Sequence, residues 1–109
     1  MIKVINVEQS TIEIDTTVIS NNLKRLLNQT YKLLPSREEK LDWESPLKTI
    51  IEEFAGMYRI LDSNILFTLL CKLEGLFNFK EEKDFSDFRR IIFECLNLIS
   101  ILKKEYEEE

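Results

Sequence analysis

The segment from Asn64 to Tyr106 constrains the fold most, because its apolar residues recur every three or four positions over two helix lengths. Ile65, Leu66, Leu69, Leu73, Leu76 and Phe77 form one stripe, and Phe88, Ile91, Ile92, Cys95, Leu98, Ile99, Leu102 and Tyr106 form a second. Phe67, Leu70 and Cys71 widen the first stripe sideways, while Phe85, Phe93, Leu96 and Ile101 fall outside the second. An ordinary surface helix buries one apolar stripe and presents the rest to water. Helices as apolar as these must be covered by more of the same chain or by a partner.

The rest of the chain offers further helices toward that cover. Two glycines and two prolines are all that punctuate 109 residues, which favours long helices over a turn-rich β-sandwich. Asp15, Thr16 or Thr17 can cap a first helix carrying Val18, Ile19, Leu23, Leu26, Leu27, Thr30, Tyr31 and Leu34, and Pro35 is expected to end it. A charged connection, Ser36 to Glu44, follows, with Leu41 and Trp43 as candidate anchors. Ser45-Pro46 reads as an N-cap serine with proline at the first helical position. The helix it opens carries Leu47, Ile50, Ile51, Phe54, Met57, Tyr58 and Leu61, and Ser63 or Asn64 restarts the chain into the next. Asp84 or Ser86 caps the last helix.

Residues 1–15 have a different period. Ile2, Val4, Ile5 and Val7 precede a polar Glu8-Gln9-Ser10, and Ile12 and Ile14 then alternate with polar residues, the pattern of a short hairpin. An extended arm that orders on a partner is the rival expectation. The predicted fold is therefore all-α: one four-helix-bundle-like domain over 1–109, with helices at 16–34, 46–61, 64–77 and 85–106 and a short N-terminal β-hairpin or extended arm over 1–15.

Composition excludes much chemistry. Fifteen basic against twenty acidic residues leave a formal charge of −5, a surface that repels phosphate backbones. No nucleic-acid partner is expected. The basic pairs Lys24-Arg25, Arg89-Arg90 and Lys103-Lys104 read as solvated helix faces. A helix-turn-helix across Arg59 to Glu74 fails because its second helix offers Thr68 and Lys72 among leucines and phenylalanines. The longest nearly apolar run, Ile65 to Cys71, is too short to span a bilayer, and no signal peptide is evident, so a cytoplasmic protein without a membrane partner is expected. Frequent Lys, Ile, Asn and Glu point to a bacterial or phage genome. Cys71 and Cys95 read as small buried hydrophobes, reduced rather than bridged.

The chain has no histidine, which removes the commonest general base and metal ligand together. Serine and cysteine nucleophiles that need a histidine partner are excluded with it. Carboxylate chemistry on magnesium remains, with Glu52, Glu53 and Glu74 as its candidates. Glu52-Glu53-Phe54 resembles the opening of the magnesium-binding motif of all-α nucleotide pyrophosphatases. The sequence departs from that family one turn on, where Gly56 and Met57 stand instead of a further acid, and Lys72-Leu73-Glu74-Gly75 offers a single carboxylate. The resemblance implies a magnesium-dependent nucleotide hydrolase, the third of three readings.

The leading expectation is a non-enzymatic interaction or assembly module without a cofactor, self-associating as a homodimer. Trp43, Phe79, Phe85, Phe93, Leu96 and Ile101 are its candidate interface residues, since aromatic anchors are enriched at interfaces. The second reading is an acidic inhibitor, phage-borne or from a mobile element, that fills a nucleic-acid-binding cleft on a host protein. It requires the acids to line one contiguous stripe.

Overall fold

The computed structural model describes residues 2–7, 10–61 and 63–106, with side chains from Asp15 onward. The expected hairpin turn at Glu8-Gln9 lies outside the described residues. Strand β1 (Ile2–Val7) pairs antiparallel with β2 (Ser10–Asp15), in a register that sets Ile5 opposite Ile12. A lone two-stranded hairpin is marginal in water. This one lies with β1 against the helix at 44–61 and β2 against the helix at 16–31.

Asp15 ends β2 and caps α1 (Thr16–Tyr31), its carboxylate accepting from the Thr17 N–H at 2.9 Å. Thr16, Ile19, Leu23, Leu26 and Thr30 are buried at alternating three- and four-residue spacing, so one face of α1 enters the core. Pro35 does not end this helix. The chain breaks earlier, at Lys32, and restarts as the short α2 (Leu33–Glu38), with Pro35 in its first turn. Proline is tolerated there because first-turn N–H groups have no intrahelical acceptor. The true stop is Lys40. Leu41 N–H donates back to Ser36 O at 2.8 Å and Lys40 N–H to Arg37 O at 3.1 Å, a closure that needs a left-handed residue. Lys40 adopts it with φ of 59°, where glycine would be unstrained.

Helix α3 (Glu44–Leu61) starts one residue before the expected serine cap. Asp42 does the capping instead, its Oδ1 accepting from the N–H groups of Glu44 and Ser45, each at 3.1 Å. The bonds from Ser45 hold the Asp42 carboxyl below its usual range. Ser63 caps α4 (Asn64–Gly75) by accepting from Leu66 N–H at 3.4 Å. Two 3₁₀ turns, Leu76–Asn78 and Glu82–Asp84, carry the chain into α5 (Phe85–Glu105). Asp84 stands at the cap position of α5, but its side chain makes no capping bond.

Trp43 reveals how the helices are arranged. Its ring meets Phe77 just beyond α4 at 6.4 Å and Phe88 in the first turn of α5 at 5.0 Å. Arg37, just beyond α1, lies 4.5 Å from the centroid of that same Phe88 ring. The end of α1, the start of α3, the end of α4 and the start of α5 therefore share one end of the bundle. The four long helices run up-down-up-down, with α1 packed on α3 and α5 and α4 on those same two helices. The core is one cluster in which Leu23, Leu26, Leu47, Phe54, Leu66, Leu69, Leu73, Phe88, Ile92, Cys95, Ile99 and Leu102 are wholly buried. No helix among the described residues is long and apolar enough to cross a membrane.

Candidate interaction surface

The two stripes that dominate the sequence form the centre of the core, but the apolar residues beside them divide. On α5, Phe88, Ile92, Cys95, Ile99, Leu102 and the flanking Tyr106 are buried. Leu96 is half-buried against the core, while Phe93 and Ile101 keep 44% and 42% of their surface exposed on the outer side. Phe93, Asn97 and Ile101 are spaced four apart, which lines them along that outer side. Arg89 lies over the Phe93 ring at 5.2 Å and is itself exposed.

On α4, Phe67 is 54% exposed but leans on Tyr58 of α3, ring centroids 6.0 Å apart. Leu70 is half-buried. Cys71 departs from the expectation of a buried hydrophobe: it is exposed, two positions from both Leu69 and Leu73 and so nearly opposite the α4 face that carries Leu66, Leu69 and Leu73 inward. Cys95 is fully buried, and burial pushes its thiol up to about 12. Both thiols are free, Cys71 at the surface and Cys95 inside the core.

The remaining sequence candidates gather at the end of the bundle marked by Trp43. That ring is nine-tenths buried within the chain. Phe85 stacks on Phe88 at 6.5 Å, and Phe79 packs half-buried against the core. Leu41 is no anchor: it stands 57% exposed, because the left-handed turn at Lys40 carries it outward.

Arg37 organises this end, and the sequence reading overlooked it as one charge in a charged connection. Its side chain is only 9% exposed. Nη2 donates to Glu81 O at 2.6 Å and Nη1 to Phe79 O, while the guanidinium lies over Trp43, Phe85 and Phe88 at 5.4, 5.7 and 4.5 Å. Burial lowers its pKa, and the nearby Asp84 charge partly offsets that. The spacing from Leu33 and Leu34 to Arg37 was the available signal: it places the arginine on the buried side of a helix. Beside Arg37 a cleft of about 500 Å³ opens, lined also by Glu38, Lys40, Leu41, Trp43, Lys80, Glu82 and Phe85. A second recess of about 390 Å³, between α1, α2 and α3, is lined by Gln29, Lys32, Leu33, Ser36, Pro46, Thr49 and Ile50.

The acids are spread over α2, α3, α4, α5 and the connections, with cations set among them. Glu53 forms a two-pronged pair with Arg25, at 3.0 and 3.2 Å, that ties α3 to α1. Glu94 receives Lys72 at 2.9 Å and Arg90 at 3.1 Å, and the Lys72 bond holds its carboxyl below the usual range. Glu44, Glu81, Glu82 and Asp87 are each paired with a lysine or arginine as well. Among the described residues no three acidic or cysteine side chains converge as a metal site, so Glu52, Glu53 and Glu74 do not form one carboxylate cluster. Comparison with known proteins adds no identity: no family model matches the chain, and no curated protein or solved structure matches it significantly.

Proposed function

We propose that the protein is a non-catalytic interaction or assembly module that associates with a second copy of itself through apolar side chains on the outside of α5. The observation that carries this reading is the exposure of Phe93 and Ile101 on a helix whose inner face is already committed to the core. Covering a large apolar side chain returns about 1.5–3 kcal/mol when it passes from full exposure to full burial. Phe93 and Ile101 start at 44% and 42% exposure, so the four side chains of a two-fold contact gain about 3–5 kcal/mol against the cost of association. The scattered, cation-paired acids support neither a nucleic-acid-mimicking stripe nor a magnesium cluster, and the missing histidine removes the usual acid–base apparatus.

Light scattering on a sizing column, across a protein concentration series, tests the reading. The expected result is a mass that rises from 13.0 kDa toward twice that value with concentration, and that stays at the monomer value for Phe93→Glu. A wild-type chain that remains a monomer at every concentration would overturn self-association.

A further inference from the structure

We infer that the cleft beside Arg37 is a binding site for a small carboxylate carried on an aromatic or branched apolar body. Arg37 is nine-tenths buried, yet among the described residues no carboxylate lies within ion-pair distance of it. Its charge is met by two backbone carbonyls and three ring faces. Those two bonds occupy two of the five N–H groups of a guanidinium, so donors remain for an anion. The nearest acidic charge, Asp84, offsets its burial only in part and stands beyond ion-pair distance, so an anion that reaches the guanidinium directly is rewarded more than it would be in water.

The rest of the lining sets the class of ligand. Lys40 and Lys80 stand with Arg37 on the cleft beside Glu38 and Glu82, and each lysine is held by an exposed ion pair, Lys40 to Glu82 and Lys80 to Glu44. The Lys40–Glu82 pair is almost wholly exposed, at 80% and 86%, and such pairs are weak enough for an incoming anion to exchange. Trp43, Phe85 and Leu41 supply an apolar wall for the body of the ligand. A volume near 500 Å³ lies within the range of small-molecule sites. A bare inorganic anion would leave that wall unused, and a neutral aromatic would leave the spare Arg37 donors without an anionic acceptor.

Trp43 lines the cleft and is the only tryptophan of the chain, so its emission reports occupancy directly. The experiment titrates the full chain with phenylacetate, with its uncharged amide and with inorganic phosphate, following Trp43 fluorescence. Phenylacetate is expected to give a saturable change, binding at least tenfold more tightly than phenylacetamide, the difference about one charged hydrogen bond makes. Lys40→Gly with Lys80→Ala, which removes two cations from the rim and leaves the Arg37 contacts alone, should weaken phenylacetate severalfold. No saturable response to phenylacetate, equal binding of the amide, or binding of phosphate as tight as phenylacetate would each overturn the assignment. Because Trp43 lies in this cleft and not on the outside of α5, this result and the result on self-association stand or fall separately.

Discussion

Arg37 lies closest over Phe88 of α5 and Arg89 over Phe93 of the same helix, and these two pairs have opposite surroundings. Arg37 over Phe88, at 4.5 Å, is buried, hydrogen-bonded to two carbonyls and enclosed by Trp43 and Phe85. Arg89 over Phe93, at 5.2 Å, stands on the outer side of the same helix with both members exposed. The chemistry is alike, so the contact alone does not define a role. Burial and polar satisfaction do. The inner pair locks α2 to the connection between α4 and α5, whereas the outer pair leaves an aromatic face for something else to cover.

The largest expected effect breaks the inner pair. Arg37→Ala should cost about 3 kcal/mol in urea unfolding, since it strips the donor from two carbonyls and opens a gap between three rings. Arg89→Ala should leave the urea midpoint of the monomer unchanged, because an exposed cation over an exposed ring contributes little. Equal losses in the two variants would erase the distinction between the pairs. A smaller effect sharpens the same lesson about satisfaction. Thr30 is wholly buried in α1, and among the described residues its hydroxyl has no hydrogen-bond partner. Thr30→Val, which keeps the shape and removes the polar atom, should stabilise the chain by about 1 kcal/mol in the same assay. A destabilised Thr30→Val would mean that the hydroxyl has a partner after all.

Periodicity made most of the helical core legible. The spacing of Leu66, Leu69 and Leu73, and of Phe88, Ile92, Cys95 and Ile99, identified the buried faces because burial on a helix follows the 3.6-residue repeat directly. Local punctuation was harder to read. Pro35 suggested a stop, but a proline in a first turn is no obstacle, and the stop came from a lysine in the left-handed region that no residue preference marks. Ser45 looked like the better cap beside Pro46, and Asp42 took the role with two N–H groups instead of one. The candidate surface was legible only in part. Residues off the stripe divided into Trp43, drawn inward by the rings around Arg37, and Phe93 and Ile101, left outside. That division depends on where α2 and the α4–α5 connection come together in space, a long-range meeting that leaves no mark on local spacing. Cys71 failed for a simpler reason, since two positions from Leu69 and Leu73 turn its side chain by about 200°, to the outer side of α4.

Equilibrium urea unfolding of the wild-type chain and of Phe93→Glu, each over a range of protein concentrations, tests the central claim most directly. A partner that binds only the folded state makes the midpoint depend on concentration. The account predicts a wild-type midpoint that rises with concentration and a Phe93→Glu midpoint that does not. Midpoints independent of concentration in both proteins would contradict it, and would leave the outer side of α5 without a second copy to cover it.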